Sequence, residues 1–272
     1  MLTILVPTYN RQDNLNRIFN YYANSNFKVI VADGSASPLS KLQISTLAPN
    51  ITYYHGEELD LTLRIKKILH LIDTPYACLL ADDELHLLTA LQECIKFLDS
   101  HKDYSTCIGL PIGFKNSPSA QDICIKSIYP EFKSHAVNQD LPQDRIDYHF
   151  NSYTSCSIWS VQRTLFLKIA LEASHIKSSC VYVPEIAFEL ANAVLGKLHI
   201  LQKVSWLRNY NNPPITNKNW NRKFRFHHWY TDSKYLNEKN FWLDELCKLL
   251  YPHTKLSMDN LRSEEHTSEL QS

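Results

Sequence analysis

Glycine is scarce in this chain, five among 272 residues. None of the five forms G-x-G-x-x-G or a P-loop, which excludes the glycine-rich cradles for dinucleotides and P-loop phosphates. No C-x-x-C pair occurs, and the seven cysteines are odd in number and scattered. That pattern argues for reduced thiols in a cytosol rather than a disulfide framework or a zinc site. A run of the ~20 apolar residues needed to span a bilayer is missing. So is a basic segment leading into a long apolar one: the start, MLTILVPTYNR, reads as a first strand and not as a signal peptide. The formal net charge is zero, so no global field recruits nucleic acid or an anionic membrane.

What is present is an ordinary globular composition, 44% hydrophobic and 21% charged, in a chain long enough for one large domain or one domain with an extension. The first hundred residues alternate strand and helix signals. Leu2 to Val6 is a continuous apolar run, as in a strand buried on both faces. Leu15, Ile18, Phe19 and Tyr22 then recur with helical spacing. Strands follow at Phe27 to Ala32, Ile51 to Tyr54 and Tyr76 to Ala81, with helices over Leu39 to Leu47, Leu61 to Ile72 and Leu87 to Leu98. This order predicts an α/β fold, a mostly parallel Rossmann-like sheet with helices on both faces. Ligands bind such sheets beyond the carboxyl ends of the strands. Pro7 to Asn10, Asp33 to Ser35 and Asp82 to Glu84 each follow a strand, so three polar strand ends converge on one edge.

The second half is less regular. Ile108 to Phe114 alternates like a half-buried strand, and residues 115–150 read as long loops that lie over a site. Helices are expected at Thr164 to Ala173 and Glu185 to Leu195, the latter closed by Gly196 as a C-cap. A strand follows at Leu198 to Leu207, then an Asn- and Pro-rich linker and a final helix through Leu236 to Leu250. The last eleven residues, RSEEHTSELQS (262–272), resemble a translated sequencing adapter and are set apart from the fold.

The stretch CLLADDEL, Cys78 to Leu85, ends an apolar strand in three acids. A helix cap, a solvated loop and a cation site are the readings open to it. In an extended chain Asp82 and Asp83 would point to opposite faces. Hard oxygen donors of this kind suit Mg²⁺ or Mn²⁺.

Four segments in order carry a resemblance: LTILVPTYNR at the start, IVADGS at Ile30 to Ser35, LLADDE at Leu79 to Glu84, and EIAFELANAVLG at Glu185 to Gly196. Together they resemble the family 2 glycosyltransferases of GT-A fold, closest to a bacterial subgroup with PTYNR and ADD motifs. The resemblance implies that Asp83 binds the metal and Asp82 touches the ribose. It implies that Asp33 hydrogen-bonds the base, and that Pro7, Thr8, Tyr9 and Arg11 belong to the loop around the nucleotide. Arg64 matches an Arg near the nucleotide; its other reading is a solvated helix charge. Where the family often has further Asp residues, this chain has Ala32 and Ala81. Glu84 is read as a helix-start acid.

The resemblance also places the catalytic base about eleven residues before the helix-ending glycine, which gives Glu185, with Arg208 closing the strand beyond. Glu189, one turn on, is the runner-up. The other reading of Glu185, directly after Pro184, is a first-turn acid favoured by the helix dipole. Outside the match, WNRKFRFHHWY (220–230) mixes cations with aromatics, as an acceptor groove, a membrane-surface contact or an amphipathic packing edge would. Adjacent His227 and His228 cannot both face one metal from a regular helix or strand.

The expectation is therefore a cytoplasmic, inverting, metal-dependent transferase acting on a nucleoside diphosphate sugar, UDP before GDP, and a glycan or lipid-linked glycan acceptor. Peripheral contact with the inner face of a membrane would run through 220–230. Residues 1–210 form the transferase domain, split near residue 100 into nucleotide-binding and acceptor halves, and 211–261 a helical extension. A degenerate binder without turnover and a sugar nucleotidyltransferase are the competing readings.

Overall fold

The computed structural model describes residues 1–56, 61–116, 123–210 and 226–254. In chain order the first half comprises β1 (Leu2–Thr8), α1 (Gln12–Tyr22), β2 (Lys28–Asp33), α2 (Lys41–Ser45), β3 (Ile51–His55), α3 (Leu61–Ile68), β4 (Tyr76–Leu79), β5 (Leu85–His86) and α4 (Leu88–Ser100). The second comprises β6 (Tyr104–Asn116), β7 (Ile123–Ser127), α5 (Pro142–Asn151), β8 (Val161–Arg163), α6 (Thr164–Ser174), α7 (Val183–Leu195), β9 (Lys197–Asn209), α8 (Phe226–Thr231) and α9 (Leu236–Leu250). One sheet runs in the order β3-β2-β1-β4-β8-β6-β9-β5, with β7 paired to β6. β1, β2, β3 and β4 are parallel to one another, as are β6 and β9, while β8 is antiparallel to both β4 and β6.

The apolar run of β1 conceals a period of two. Leu5 faces a core shared with Ile30, Ala32 and Leu79 and covered by α3, α6, α7 and α9. Leu2, Ile4 and Val6 face the opposite core, under Leu15, Ile18 and Tyr22 of α1 and Leu91, Cys94 and Leu98 of α4. Two helical layers leave β1 no wet face, and each such side chain taken out of water contributes ~1.5–3 kcal/mol. The C-terminal helices complete the first of these cores: Trp229 of α8 and Trp242, Leu246 and Leu250 of α9 are buried in it.

Three expectations are corrected. Residues 115–150 are not long loops: β6 runs on to Asn116, pairs with β7, and is followed by a short 3₁₀ turn at Pro130–Lys133 and then α5. The polar composition misled because β7 is exposed along its whole length. β4 stops at Leu79 rather than Ala81. Gly196 ends α7, but with φ 174° it is extended and not left-handed. Its reason is proximity: a Cβ there would lie 2.8 Å from Ser105 Cβ and 2.9 Å from Ser105 N on β6.

Candidate functional site

The parallel strands end on the edge that carries the polar segments. β1 and β2 are in register to Thr8 and Asp33, so the first two segments leave the sheet side by side. Asn10 turns the chain with φ 53°, a left-handed conformation that Asn tolerates better than most residues. Its backbone N–H donates to Ser35 Oγ (2.8 Å), and its side chain accepts from Ala36 N (3.4 Å). Asp33 is fully buried at this junction. Gln12 Nε2 and the Tyr53 hydroxyl each donate to its Oδ2 at 2.6 Å, and Ser35 N donates to its Oδ1 at 2.8 Å. Burial alone would raise the Asp33 carboxyl; hydrogen bonds from Gln12, Ser35 and Tyr53 outweigh it and hold the group below its ordinary value.

Asp82 and Asp83 do not diverge as an extended chain would require. They sit in a turn, with Glu84 N donating to Ala81 O (3.1 Å), and their carboxylates converge. Arg11 Nη2 lies 2.5 Å from Asp83 Oδ2 and 3.1 Å from Asp82 Oδ1. Both aspartates are buried, and the Thr8 hydroxyl donates to Asp82 Oδ2 at 2.7 Å. Burial holds the Asp82 carboxyl above its ordinary value, against the Thr8 bond and the Arg11 charge and with the Asp83 charge. Neither aspartate caps a helix, because α4 begins at Leu88 with Leu87 at its N-cap. The fit to a divalent cation is direct: two oxygen donors from adjacent residues already share one positive centre, supplied by a guanidinium nitrogen.

Glu84 is not a helix-start acid either, since the short strand β5 follows it. It is buried and accepts Trp206 Nε1–H at 2.6 Å, with Arg208 Nε 3.6 Å away. Burial pushes its carboxyl up to about 7, against the Arg208 charge and the Trp206 bond. Arg208 in turn lies 5.2 Å from the Trp206 and Tyr129 ring centroids and donates to the Tyr129 hydroxyl. The only sequence signal for this group was Arg208 at the strand end.

The two glutamates of α7 separate cleanly. Glu185 is exposed at the first turn, and its Oε1 accepts the Tyr153 hydroxyl at 2.8 Å. Glu189 is 1% exposed and sealed. Its carboxylate accepts Ser157 N (3.1 Å) and Ile158 N (3.2 Å) and pairs with His149 Nε2 at 3.1 Å. As runner-up for a base it is corrected: a carboxylate already holding three donors, away from solvent, has no reach to an incoming hydroxyl. Arg64 is 2% exposed on α3, which removes the solvated-charge reading. Pro7 and Tyr9 flank Thr8 and are half-buried.

Of the aromatic, basic stretch, 220–225 lies outside the described residues, as do 262–272. The rest forms α8, where Trp229 is buried and donates to Glu238 Oε1 (2.9 Å), while His227 and His228 are exposed. Among the described residues no helix is long and apolar enough to cross a membrane.

The sequence pattern described as Glycosyl transferase family 2 matches residues 3–159, more than half of the chain. Comparison with curated proteins gives no match. Among solved structures, Staphylococcus aureus TarS 1–349 in complex with UDP-GlcNAc superimposes with a TM-score of 0.58 at 14% identity, over 96% of this chain and 69% of that one. TarS 1–349 in complex with UDP gives 0.56 at 15% identity, over 96% and 68%. TarS 1–349 alone gives 0.54 at 15%, over 98% and 90%. The likeness establishes the GT-A architecture over almost the whole chain. With the family pattern spanning β1 to the segment before β8, this chain belongs to glycosyl transferase family 2, as a glycosyltransferase of GT-A fold.

Proposed function

We propose that the protein moves a sugar from a nucleoside diphosphate sugar, with UDP as the favoured nucleotide, to a hydroxyl of a glycan acceptor in surface polysaccharide synthesis, with inversion at the anomeric carbon. The observation that carries this is the convergence of Asp82 and Asp83 on one positive centre, beside Asp33 at the carboxyl edge of the parallel strands. The TarS complexes hold UDP-GlcNAc and UDP, which favours a uridine donor.

In this reading the loop Pro7, Thr8, Tyr9 and Arg11 lies around the nucleotide, with Arg64 near it. Asp33 faces the base and Asp82 the ribose. Asp83, with Asp82 adjacent, would hold Mn²⁺ or Mg²⁺, which when bound supplies Lewis-acid neutralisation of the departing diphosphate. Glu185 is the base: it takes the acceptor hydroxyl's proton as that oxygen bonds to the anomeric carbon and the nucleoside diphosphate leaves from the opposite face. Tyr153 orients it through the 2.8 Å hydrogen bond. Residues 1–210 make up the transferase domain and 211–261 an extension that helps seat the acceptor.

The test is a screen of nucleotide sugars for hydrolysis and transfer, with Mn²⁺ or with excess chelator. Asp83→Ala should abolish donor turnover with the fold intact, and Glu185→Gln should bind UDP but not transfer. Full turnover by Asp83→Ala, or in chelator, overturns the cation assignment. UDP binding by the native chain with no turnover of any donor supports the binder reading instead.

A further inference from the structure

In the interior of the second half of the chain, three side chains with metal-ligating atoms meet. His135 follows the 3₁₀ turn at Pro130–Lys133, His149 lies on α5, and Cys156 precedes the 3₁₀ turn at Ser157–Trp159. They are 4%, 2% and 0% exposed, and one nitrogen or sulfur from each lies within 4.8 Å of the others. We infer that this pocket is a structural metal site taking Zn²⁺ through His135, His149 and Cys156.

The hydrogen bonds around His149 fix its tautomer. The Glu189 carboxylate accepts two backbone N–H groups, and a carboxylate only accepts. His149 Nε2 therefore carries the proton toward Glu189 (3.1 Å), and its Nδ1 presents a lone pair toward His135 Nε2, 2.9 Å away. A neutral imidazole that donates one N–H to a carboxylate and turns its other nitrogen to the interior is the arrangement by which proteins orient metal-binding histidines. His135 Nε2 donates to that lone pair, so His135 carries its own proton on Nε2.

The donor set selects the ion. One thiolate and two imidazoles suit Zn²⁺ rather than the hard cations that carboxylates take. Bond lengths near 2.0 Å to nitrogen and 2.3 Å to sulfur put tetrahedral donors roughly 3.3–3.6 Å apart. The present cluster needs to close only modestly, with the two rings parting slightly. A small cavity adjoins it, lined by His149, Ser157, Glu189 and Asn192 together with the apolar Val137 and Leu198. Ser157 Oγ and Asn192 Oδ1 face burial there without a hydrogen-bond partner, on residues 2% and 3% exposed. A water held by them would fill the fourth position.

The proton balance is simple. Metal-free, burial and the Glu189 charge push the Cys156 thiol up, so it is protonated. Binding forms an S–Zn bond and releases that proton to solvent; His135 moves its own proton from Nε2 to Nδ1, with no net release. The ion would tie the 135 segment and α5 to Glu189, one turn from the base position on the same helix.

The experiment is a Co²⁺ titration of the chelator-stripped native chain, followed by near-ultraviolet thiolate-to-cobalt absorption. One equivalent should give the band with about one proton released per ion, and Zn²⁺ should displace it. The band should survive Asp83→Asn and Cys124→Ser, the latter removing the exposed thiol, and vanish in Cys156→Ser. No thiolate band in the native chain, a band lost with Cys124→Ser, or one that persists in Cys156→Ser would each overturn the site. Because the native chain gives the first result, a variant that fails to fold leaves the proposal exposed to refutation. Retention by Asp83→Asn separates this site from the donor-site cation.

Discussion

Replacing Arg11 by Met keeps most of the aliphatic stem and deletes the charge that Asp82 and Asp83 share. In the native chain the Arg11 side chain is 22% exposed and the side chains of Asp82 and Asp83 4% and 6%. Stranding a buried charge by removing its partner costs ~3–5 kcal/mol. Water can enter beside a partly exposed Arg11, and two carboxylates side by side can share a proton, so the low end, ~3 kcal/mol, is expected. For a chain of this size that is ~6–12 °C in Tm. A divalent cation at a hundred times its Kd returns ~2.7 kcal/mol. Arg11→Met should thus melt well below wild type in chelator and recover most of the gap with saturating Mn²⁺. Wild type should move less, because there the ion must first displace the guanidinium. The assay is thermal melting of both proteins with EDTA and with Mn²⁺. If Arg11→Met melts within about 1 °C of wild type in chelator, or if Mn²⁺ shifts both proteins equally, Arg11 is not the counter-ion that the geometry describes.

Glu185→Gln and Glu189→Gln should split by phenotype: the first loses transfer with an unchanged Tm, while the second melts lower by ~1–3 kcal/mol because an amide cannot accept both backbone donors and the His149 proton as well. Gly196→Ala should cost ~1–3 kcal/mol in a denaturant titration, since its Cβ meets the backbone of β6 and not a movable side-chain tip. Asp33 has a native-state carboxyl held below its unfolded value, so its stabilisation is fully present above the unfolded pKa of ~3.9 and fades as pH falls through the lower native value. The stability gap between wild type and Asp33→Asn should therefore be constant from pH 5 to 7 and narrow in acid, which urea melts across pH will check.

The elements whose burial is one-dimensional were legible. The apolar run of β1 and the helical stripe Leu15, Ile18 and Tyr22 pointed to a strand with two covered faces and a helix with one. Asp33, Asp82 and Asp83 were legible as polar residues placed just after such strands. What escaped depends on partners far along the chain. Glu84 looked like a helix-start acid because nothing local announces Trp206, 122 residues away. The pairing of Arg11 with the aspartates was hidden because it exists only once β1 and β4 lie side by side. Glu189 shares a helix face with Glu185, yet α7 dips into the core between them, and periodicity alone does not say where along a helix the core begins. α5 was hidden by polar residues that turn out to be interior ones: Arg145, for example, is buried, giving its guanidinium to the carbonyls of Ala193 and Val194.

Strand β8 is three residues long, yet among the described residues it alone pairs with both parallel blocks of the sheet: two residue pairs reach β4 and two reach β6. It works as a splice. Because that join is so narrow, the hairpin β6–β7 can change length without shifting the register of β1, β2 and β4, while β9 stays tied to the acidic segment through β5 and the Trp206–Glu84 bond. The match to the family pattern stops at residue 159, just before this strand begins. In the proposed reading the block of β6, β7 and β9 seats the acceptor, so substitutions that retune the acceptor are expected there rather than on β1, β2 and β4.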